Sequence, residues 1–290
     1  MSSSVRTKAD QTPKVWFITG TSQGFGQELV RVALNRGDRV IATSRAPQKV
    51  IEAFPDASDT LMAVSMDLED PASVASAVAA AIQRFGRIDV LVNNAGYGMM
   101  GAVEEVSEDE VAAVFEVNVF ALLRITREVL PHMRKQRSGH IVNLSSIAGL
   151  VGTTGFGIYN ATKFAVEGLS EALAQELQPL GIGVTVVEPG LFRTDFLGGS
   201  LGVAPTKIAD YADTVGQRRV WREENNWKQI GDPRLGAEAM VAAIDAPEPP
   251  LHLVLGKDSY ERAVAKAERI RAEFEAWKDL SFSTDFRGTE

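Results

Sequence analysis

Cysteine is missing from the sequence, and histidine is scarce. The chain contains no cysteine and only three histidines, His132, His140 and His252. A chain without cysteine has no disulfide, no zinc–thiolate site and no cysteine nucleophile. The three histidines are too scattered to suggest a metal-binding cluster, so we expect no metal site.

Long apolar runs and an excess of positive charge are also missing. No apolar run approaches the roughly 18 residues that a membrane-spanning helix needs, and residues 1–12 are polar, without the apolar core of a secretory signal. The formal net charge of −8 argues against a general nucleic-acid binder. We therefore expect a cytoplasmic protein with a disordered tail over residues 1–12, and neither a membrane nor a nucleic acid as a partner.

Two kinds of segment alternate through most of the remaining chain. The 290 residues are 45% hydrophobic and 23% charged, which suits one large α/β domain. Short apolar runs typical of buried strands alternate with segments whose apolar residues repeat at helical spacing. This alternation predicts a doubly wound parallel sheet of seven strands between two layers of helices, a three-layer α/β/α single domain over residues 13–290. The predicted strands are residues 14–19, 38–44, 60–66, 87–92, 139–145, 181–187 and 251–255.

A glycine-rich turn connects the first predicted strand to the first predicted helix. Residues 19–26 read Thr-Gly-Thr-Ser-Gln-Gly-Phe-Gly. Such a turn lets backbone N–H groups approach a phosphate, which also gains from the N-terminus of the following helix. The turn therefore predicts a dinucleotide site. The alternative is that its glycines only let the helix pack closely on the strand.

Small and polar residues end the predicted strands. Ligands of parallel α/β sheets bind at the carboxyl ends of the strands, and Gly20, Ser44, Asp67, Asn93 and Ser146 all lie there. These five residues therefore lie where such a fold binds its ligand.

The end of the second predicted strand indicates which cofactor fits. NAD-binding folds usually place an acidic residue there to bind the ribose 2′-hydroxyl, but this sequence has Ser44 followed by Arg45. A missing carboxylate and a nearby guanidinium suit a 2′-phosphate, so we expect NADP as the cofactor, with NAD as the alternative. Arg45 could instead be a surface residue that opens a helix.

Tyr159 and Lys163 form the candidate reactive pair. They are four residues apart, so they lie on one face of a predicted helix. A fixed ammonium beside a phenol favours the phenolate and lowers the pKa of the phenol from its ordinary value near 10. Such a pair could donate or accept a proton near neutral pH. The Y-x-x-x-K pattern by itself also occurs on solvated helix faces.

Two long helices frame the second half of the chain. Residues 107–133 begin with a capping box formed by Ser107 and Glu110, and they contain Asn118. Asparagine is mildly unfavourable in a helix interior, so Asn118 is either kept for a reason or merely tolerated. Residues 258–279 form an amphipathic pattern whose apolar stripe we expect to serve the core or a subunit contact, with membrane or partner binding as the alternative.

The region after the sixth predicted strand breaks the strand–helix alternation. Residues 191–232 contain Phe192, Phe196 and several glycines, which suggests a mobile lid that closes over an apolar substrate. The alternatives are a static loop whose aromatic side chains belong to the core, and a short helical insertion. Arg193 is the lone cation that residues 191–201 offer to an anionic substrate. On the facing wall we expect Tyr97, Met99 and Met100.

These motifs together resemble those of the short-chain dehydrogenase/reductase family. The resemblance covers about residues 14–255, and residues 94–168 are most similar to single-domain members of the 17β-hydroxysteroid and retinol dehydrogenase type. It implies a Rossmann-like fold that binds NAD(P) and moves a hydride between nicotinamide and a carbonyl or alcohol. The five motifs that carry it are Thr19-Gly20 to Gly26, Asp67, Asn93-Asn94-Ala95-Gly96, Ser146 with Tyr159 and Lys163, and Pro189-Gly190.

By position, the resemblance also implies roles for individual residues. Tyr159 would be the acid/base, and Lys163 would lower its pKa and hold the nicotinamide ribose. Ser146, rather than the adjacent Ser145, would hydrogen-bond the substrate oxygen, and Asn118 would hold a water in a proton relay. The helices around Asn118 and Tyr159 would pack against their copies in a homodimer or homotetramer. The residues implied in cofactor binding are Gly20, Ser22, Gln23, Gly24, Phe25, Gly26, Ser44, Arg45, Asp67, Leu68, Asn94, Ala95, Gly96, Tyr159, Lys163, Pro189, Gly190 and Thr194.

Three functions are compatible with such a chain. The first is an NADP(H)-dependent oxidoreductase for a ketone, aldehyde or secondary alcohol of mostly apolar character. The second is a non-catalytic dinucleotide-binding sensor, but such proteins commonly lose the tyrosine or the lysine. The third is an epimerase or dehydratase of nucleotide sugars, whose members usually have a G-x-x-G-x-x-G turn and a longer C-terminal domain. The intact Tyr159–Lys163 pair and the spacing of the glycines favour the first function.

Overall fold

A central sheet of seven parallel strands carries the fold in the computed structural model, which describes residues 12–286. The order of the strands is β3-β2-β1-β4-β6-β7-β9, so the chain winds outward in both directions from β1 and β4. All seven predicted strands are confirmed. The predicted disordered tail lies outside the described residues, except for Thr12. The strands are β1 (Val15–Thr19), β2 (Arg39–Ser44), β3 (Leu61–Ser65), β4 (Val90–Asn93), β5 (Gly98–Met100), β6 (Gly139–Leu144), β7 (Ile182–Pro189), β8 (Leu201–Val203) and β9 (His252–Leu255).

Helices cover both faces of this sheet. No helix within residues 12–286 combines the length and the apolar character needed to cross a membrane. The C-terminal helix predicted over residues 258–279 is present and is followed by a short second helix. The α-helices are α1 (Gly24–Asn35), α2 (Pro47–Ala53), α3 (Pro71–Phe85), α4 (Glu108–Phe115), α5 (Ala121–Gln136), α6 (Gly157–Leu177), α7 (Gln217–Asn225), α8 (Pro233–Ile244), α9 (Lys257–Ala276) and α10 (Lys278–Phe282).

Strand β1 shows why the strands read as continuous apolar runs. Successive side chains of a strand point to opposite faces of the sheet. Trp16 and Ile18 pack with residues of α1 and α8, whereas Phe17 packs with residues of α3 and α5. All three side chains are fully buried, and each such burial stabilises the fold by roughly 2–3 kcal/mol. A strand covered on both faces has no polar side, which is typical of parallel sheets.

The long helix predicted over residues 107–133 is interrupted. It begins with the predicted capping box, in which the Ser107 hydroxyl accepts from the Glu110 N–H and the Glu110 carboxylate accepts from the Ser107 N–H. A π-helical turn, Glu116–Phe120, then separates α4 from α5 and contains Asn118. Turns of this kind are frequent at functional sites. The apolar pattern continues through the turn, and for that reason the sequence predicts one uninterrupted helix.

Residues 191–232 contain more regular structure than predicted. Strand β8 pairs in parallel with β5 in a small second sheet, and α7 supplies a helical insertion. The buried Glu105 carboxylate fastens this region, because it accepts from the Ile208 N–H at 2.9 Å and pairs with the Arg219 guanidinium. The segment therefore packs against the loop after β5 along much of its length.

Candidate active site

A cavity of about 800 Å³ opens at the carboxyl ends of the central strands. Most of the residues predicted to bind a cofactor or to react line it. Gly26 and Asn118 do not. The predicted residues in its wall are Gly20, Ser22, Gln23, Gly24, Phe25, Ser44, Arg45, Asp67, Leu68, Asn94, Ala95, Gly96, Ser146, Tyr159, Lys163, Pro189, Gly190 and Thr194.

The glycine-rich turn forms one end of this cavity. Gly20 and Gly24 have φ values of +68° and +59°, in the left-handed region that favours glycine. A Cβ at Gly26 would clash with the Gly20 carbonyl oxygen, so Gly26 lets α1 pack on the turn instead of facing the cavity. The Asn94 amide fixes the turn by donating to the Thr19 carbonyl at 2.8 Å and to the Gly20 carbonyl at 3.0 Å.

No side chain caps the first turn of α1. The N-terminus of the helix, whose first N–H groups have no partner within the helix, thus meets the cavity at Gly24. Free N–H groups and the positive end of the helix dipole favour a phosphate. This end of the cavity therefore fits the pyrophosphate of a dinucleotide.

The end of β2 supplies the ribose side of the cavity. The Ser44 hydroxyl accepts from the Ala46 N–H at 3.0 Å, and the exposed Arg45 follows it. Lys49 also lines the cavity. The sequence argument missed Lys49, which lies in the first turn of α2. Asp67, after β3, shapes its own turn because its carboxylate accepts from the Glu69 N–H at 3.0 Å.

Helix α6 places Tyr159 and Lys163 in the wall of the cavity, and both side chains are buried. The Lys163 ammonium lies 5.8 Å from the centre of the Tyr159 ring and donates to the Leu144 carbonyl at 2.7 Å. Burial lowers the pKa of Lys163 to about 8, and the charge of Glu167 acts in the opposite direction. The Lys163 ammonium thus interacts with both the Leu144 carbonyl and the Tyr159 ring.

The state of Tyr159 differs from the expectation drawn from its spacing. Burial raises the pKa of Tyr159 above its ordinary value, and a hydrogen bond with the Ser146 hydroxyl offsets this only in part. The phenol is therefore neutral at pH 7 in this structure, and the expected lowering by Lys163 is absent. The physical reason is that both groups lie inside a mostly apolar wall, where each favours its uncharged form.

Ser146 and Ser145 face different partners. Ser146 is the serine bonded to Tyr159, and its hydroxyl also accepts from the Ala148 N–H at 3.1 Å. The Ser145 hydroxyl points instead to the Lys163 carbonyl, at 3.5 Å. The structure thus places Ser146 beside the phenol, and the role of Ser146 in binding the substrate oxygen stays a prediction.

Asn118 lies beside the cavity, and its amide is committed to protein partners. The side chain donates to the Tyr97 carbonyl at 2.9 Å and to the Thr162 hydroxyl at 3.1 Å, and accepts from the Tyr97 N–H at 3.0 Å. These bonds fasten the loop after β4 to α6. Its role in holding a water stays a prediction.

Several aromatic side chains also line the cavity. Phe196 stacks 5.3 Å from Tyr159, centroid to centroid, whereas Phe192 packs 4.9 Å from Phe25 beside the core. The expectation that Met99 and Met100 line the facing wall was wrong, because both are buried in cores beneath it.

Two arginines also reach this wall, and the sequence argument missed both. Arg218 on α7 and Arg262 on α9 line the cavity. Arg193, the predicted lone cation, bonds the Gln229 carbonyl at 3.2 Å and does not face the cavity. No local sequence motif predicts that Arg218 and Arg262 line the cavity, because only the packing of α7 and α9 brings them together.

Behind α6 lies a cluster that could hold a metal ion. Glu167, Glu188 and His252 place one ligand atom each within 4.8 Å of one another. The two carboxyl groups are buried, and His252 Nδ1 lies 2.8 Å from Glu188 Oε1. The contact pairs His252 with Glu188, and within the described residues both carboxylate oxygens of Glu167 and Oε2 of Glu188 have no hydrogen-bond partner.

Comparison with known proteins agrees with this geometry. A family model described as short chain dehydrogenase matches residues 14–200. The chain is 39% identical over 272 residues to oxidoreductase BOA17 of Botryotinia fuckeliana, and the match covers 93% of this chain and 99% of that protein. It is 35% identical over 251 residues to human 17-beta-hydroxysteroid dehydrogenase type 1, with 82% and 76% covered.

Solved structures share the fold over almost the whole chain. A short-chain dehydrogenase from Streptomyces avermitilis superposes with a TM-score of 0.88 at 40% identity, covering 95% of this chain and 100% of that one. A short chain dehydrogenase/reductase from Burkholderia phymatum, in complex with NAD, has a TM-score of 0.78 at 26% identity, covering 92% and 95%.

Proposed function

The chain belongs to the short-chain dehydrogenase/reductase family and is an oxidoreductase that acts on CH–OH groups, and from this premise we propose that it transfers a hydride between NADP(H) and a ketone, aldehyde or secondary alcohol of mostly apolar character. One observation carries the proposal. Ser146, Tyr159 and Lys163 meet in the wall of the same cavity that the glycine-rich turn closes. We place the reaction in the cytoplasm.

The residues at the end of β2 support NADP over NAD. The position that an acidic residue takes in many NAD-binding folds is held by Ser44. Arg45 and Lys49 line the cavity next to it, and two cations would favour a 2′-phosphate. The solved relative in complex with NAD indicates that the family also accepts the cofactor without that phosphate.

Neutral Tyr159 is in the correct state to act as a proton donor during reduction. When bound, the nicotinamide supplies the hydride chemistry, and the protein supplies orientation and electrostatics. As negative charge develops on the substrate oxygen, the Tyr159 phenol gives it a proton and the Ser146 hydroxyl donates a hydrogen bond. These two donors are fixed in advance, so they stabilise the developing charge without reorganising.

Lys163 stabilises the phenolate that remains on Tyr159. Its ammonium lies on the same helix face, 5.8 Å from the centre of the ring. Opposite charges in a buried site attract more strongly than in water. The aromatic wall that contains Phe196 keeps water away from this exchange.

Deuterium transfer tests the proposal. The enzyme is incubated with NADPH that carries deuterium on the transferable position, together with a panel of apolar ketones and aldehydes. We expect oxidation of NADPH and one deuterium on the carbinol carbon of the product by mass spectrometry. Binding of NADPH without any transfer across the panel would contradict the proposal.

A further inference from the structure

Arg218 and Arg262 approach the substrate side of the cavity from two helices. The Arg218 guanidinium lies 3.9 Å from the centre of the Trp221 ring and 5.9 Å from that of Phe156. Phe156 in turn packs edge-on against Tyr159, with 6.4 Å between the ring centres. One aromatic ring therefore separates Arg218 from the phenol that is proposed to react.

Arg262 is fixed at the same wall by a hydroxyl group. Its guanidinium donates to the Thr153 hydroxyl at 2.8 Å, and Thr153 also lines the cavity. The two arginines are close enough for the charge of Arg262 to lower the pKa of Arg218, in addition to the larger effect of burial. Both charges thus lie in one half-buried region.

Neither arginine is neutralised by the protein. Within the described range, residues 12–286, neither Arg218 nor Arg262 forms an ion pair with an acidic side chain, whereas Arg219, next along the chain, pairs with Glu105. The Nε of Arg218 is buried and has no hydrogen-bond partner there. An unpaired donor in a buried position destabilises the fold, and two like charges add to that cost.

A negatively charged ligand would remove both costs. A carboxylate or phosphate accepts two parallel hydrogen bonds from a guanidinium, and arginine is the side chain best suited to that geometry. The aromatic surfaces of Trp221 and Phe156 would hold the guanidinium plane in place while leaving its edge for the anion.

We propose that Arg218 and Arg262 form an anion subsite that binds a carboxylate or phosphate of the substrate, away from its reacting carbonyl. The inference rests on the proposed hydride transfer and narrows its substrate to an oxo or hydroxy compound with an apolar body and one anionic end. The glycine-rich turn and the Arg45–Lys49 pair serve the cofactor, which leaves the two arginines for the substrate.

Matched substrates and variants test the subsite. The substrates are medium-chain oxo acids, their methyl esters, and hydroxyketone phosphates of similar length. The variants are Arg218→Met, Arg262→Met, Arg218→Lys, and Arg269→Met as a control for the loss of one charge on α9, where Arg269 is solvent-exposed. The readouts are kcat and KM for each pair.

We expect the unmodified enzyme to prefer the anionic compound over its ester by at least about tenfold in kcat/KM, the ratio expected for one charge-assisted bond. Arg218→Met and Arg262→Met should remove this preference, mainly by raising KM for the anionic compound more than KM for the ester. Arg218→Lys should keep part of it, and Arg269→Met all of it. The better anion, carboxylate or phosphate, identifies the group that the subsite takes.

A binding measurement separates this inference from the proposed function. Sodium hexanoate and inorganic phosphate serve as probes in thermal unfolding of the full chain, with sodium chloride at equal ionic strength as the reference. A stabilising shift that the Arg218→Met/Arg262→Met double variant loses supports the subsite even when no compound in the panel is reduced. Equal turnover of acids and esters, with the same thermal shift in the double variant, would overturn it and leave the hydride transfer intact.

Discussion

Burial raises the pKa of two carboxyl groups near Lys163. Glu167 lies one turn after Lys163 on α6, and Glu188 lies on β7; their exposed fractions are 5% and 0%. Burial raises the pKa of Glu167 to about 7 and that of Glu188 to about 8. The groups that face them are Lys163, His252 and Glu171, the last of which lies 3.8 Å from His252 Nε2.

These raised values predict that the protein loses stability as the pH rises. An acid whose folded-state pKa exceeds its unfolded value of 4.5 contributes its full stability below pH 4.5. This contribution is lost as the pH rises from 4.5 to the folded-state pKa. The free energy of unfolding should therefore fall between about pH 4.5 and pH 8, by on the order of a few kcal/mol. Glu188→Gln should flatten this fall in urea unfolding at several pH values. Glu171→Gln, an exposed neighbour, should not, and an unfolding free energy that rises from pH 5 to pH 8 would count against the assignment.

The residues at the end of β2 predict the choice of cofactor. Arg45→Ala and Lys49→Ala should each lower kcat/KM for NADPH by roughly tenfold or more, because each removes a charge-assisted contact to the 2′-phosphate. The value for NADH, which lacks that phosphate, is the internal control and should stay unchanged. Ser44→Asp should shift the preference toward NADH by adding an acceptor for the ribose and repelling the phosphate. An unmodified enzyme with the higher kcat/KM for NADH contradicts this prediction.

At the scale of elements, the segment over residues 191–232 divides into two parts with different tasks. Phe192 packs against Phe25 and the core, as a static loop would require. Phe196 instead contacts Tyr159 and stands in the cavity wall, as the lid hypothesis requires. Both side chains reach the cavity, but only Phe196 packs against the phenol ring of Tyr159, whereas Phe192 packs against Phe25 and the core.

This division predicts opposite effects of two similar substitutions. Phe196→Ala should raise KM for bulky apolar substrates by roughly tenfold and leave thermal stability nearly unchanged. Phe192→Ala, its matched control, should cost up to about 3 kcal/mol of stability and affect KM for the substrate less, because Phe192 lines the cavity beside Phe25 and not beside Tyr159. Steady-state kinetics and thermal unfolding measure both. A large loss of stability in Phe196→Ala with KM untouched would make Phe196 a core residue and remove the argument for an apolar lid.

Elements that are short, or that depend on distant packing, are the ones that the sequence does not predict. The seven central strands were predictable because each is a short, mostly apolar run; β1 is covered on both faces, and the edge strands β3 and β9 are partly covered. Strands β5 and β8 have three residues each, too few to show a period. Most residues of the cavity wall could be predicted from the ends of the strands. Arg218 and Arg262 could not, because they reach the wall only through the packing of α7 and α9. The raised pKa of Tyr159 is likewise a consequence of burial, which spacing does not reveal.

At the scale of the whole molecule, many large apolar side chains within residues 12–286 are exposed, and two groups of them bear on assembly. Phe120, at the end of the π-helical turn, and Phe164 on α6 are about half exposed, on elements that pack against each other. Phe274 and Trp277 near the C-terminal end are exposed by 73% and 65%. Exposed apolar surface of this kind favours contact between copies of the chain.

We predict a homodimer or homotetramer that is built on the surface around Phe120 and Phe164. Light scattering at micromolar concentration should give at least the mass of a dimer for the unmodified chain. Phe120→Glu/Phe164→Glu should lower that mass to the monomer, because it buries charge in the contact. Phe274→Glu is the control on the other surface and should keep the dimer. A monomeric unmodified chain at this concentration contradicts the prediction.

Tyr159→Phe tests most directly whether this cavity transfers hydride by the proposed route. The substitution removes one hydroxyl and keeps the ring that packs against Phe156 and Phe196. We predict that kcat falls at least about a hundredfold, the lower range for general acid–base catalysis, while NADPH affinity in fluorescence titration stays unchanged. Ser145→Ala, whose hydroxyl faces away from the phenol, should keep its turnover. Near-normal turnover of Tyr159→Phe on a good substrate would show that another group moves the proton.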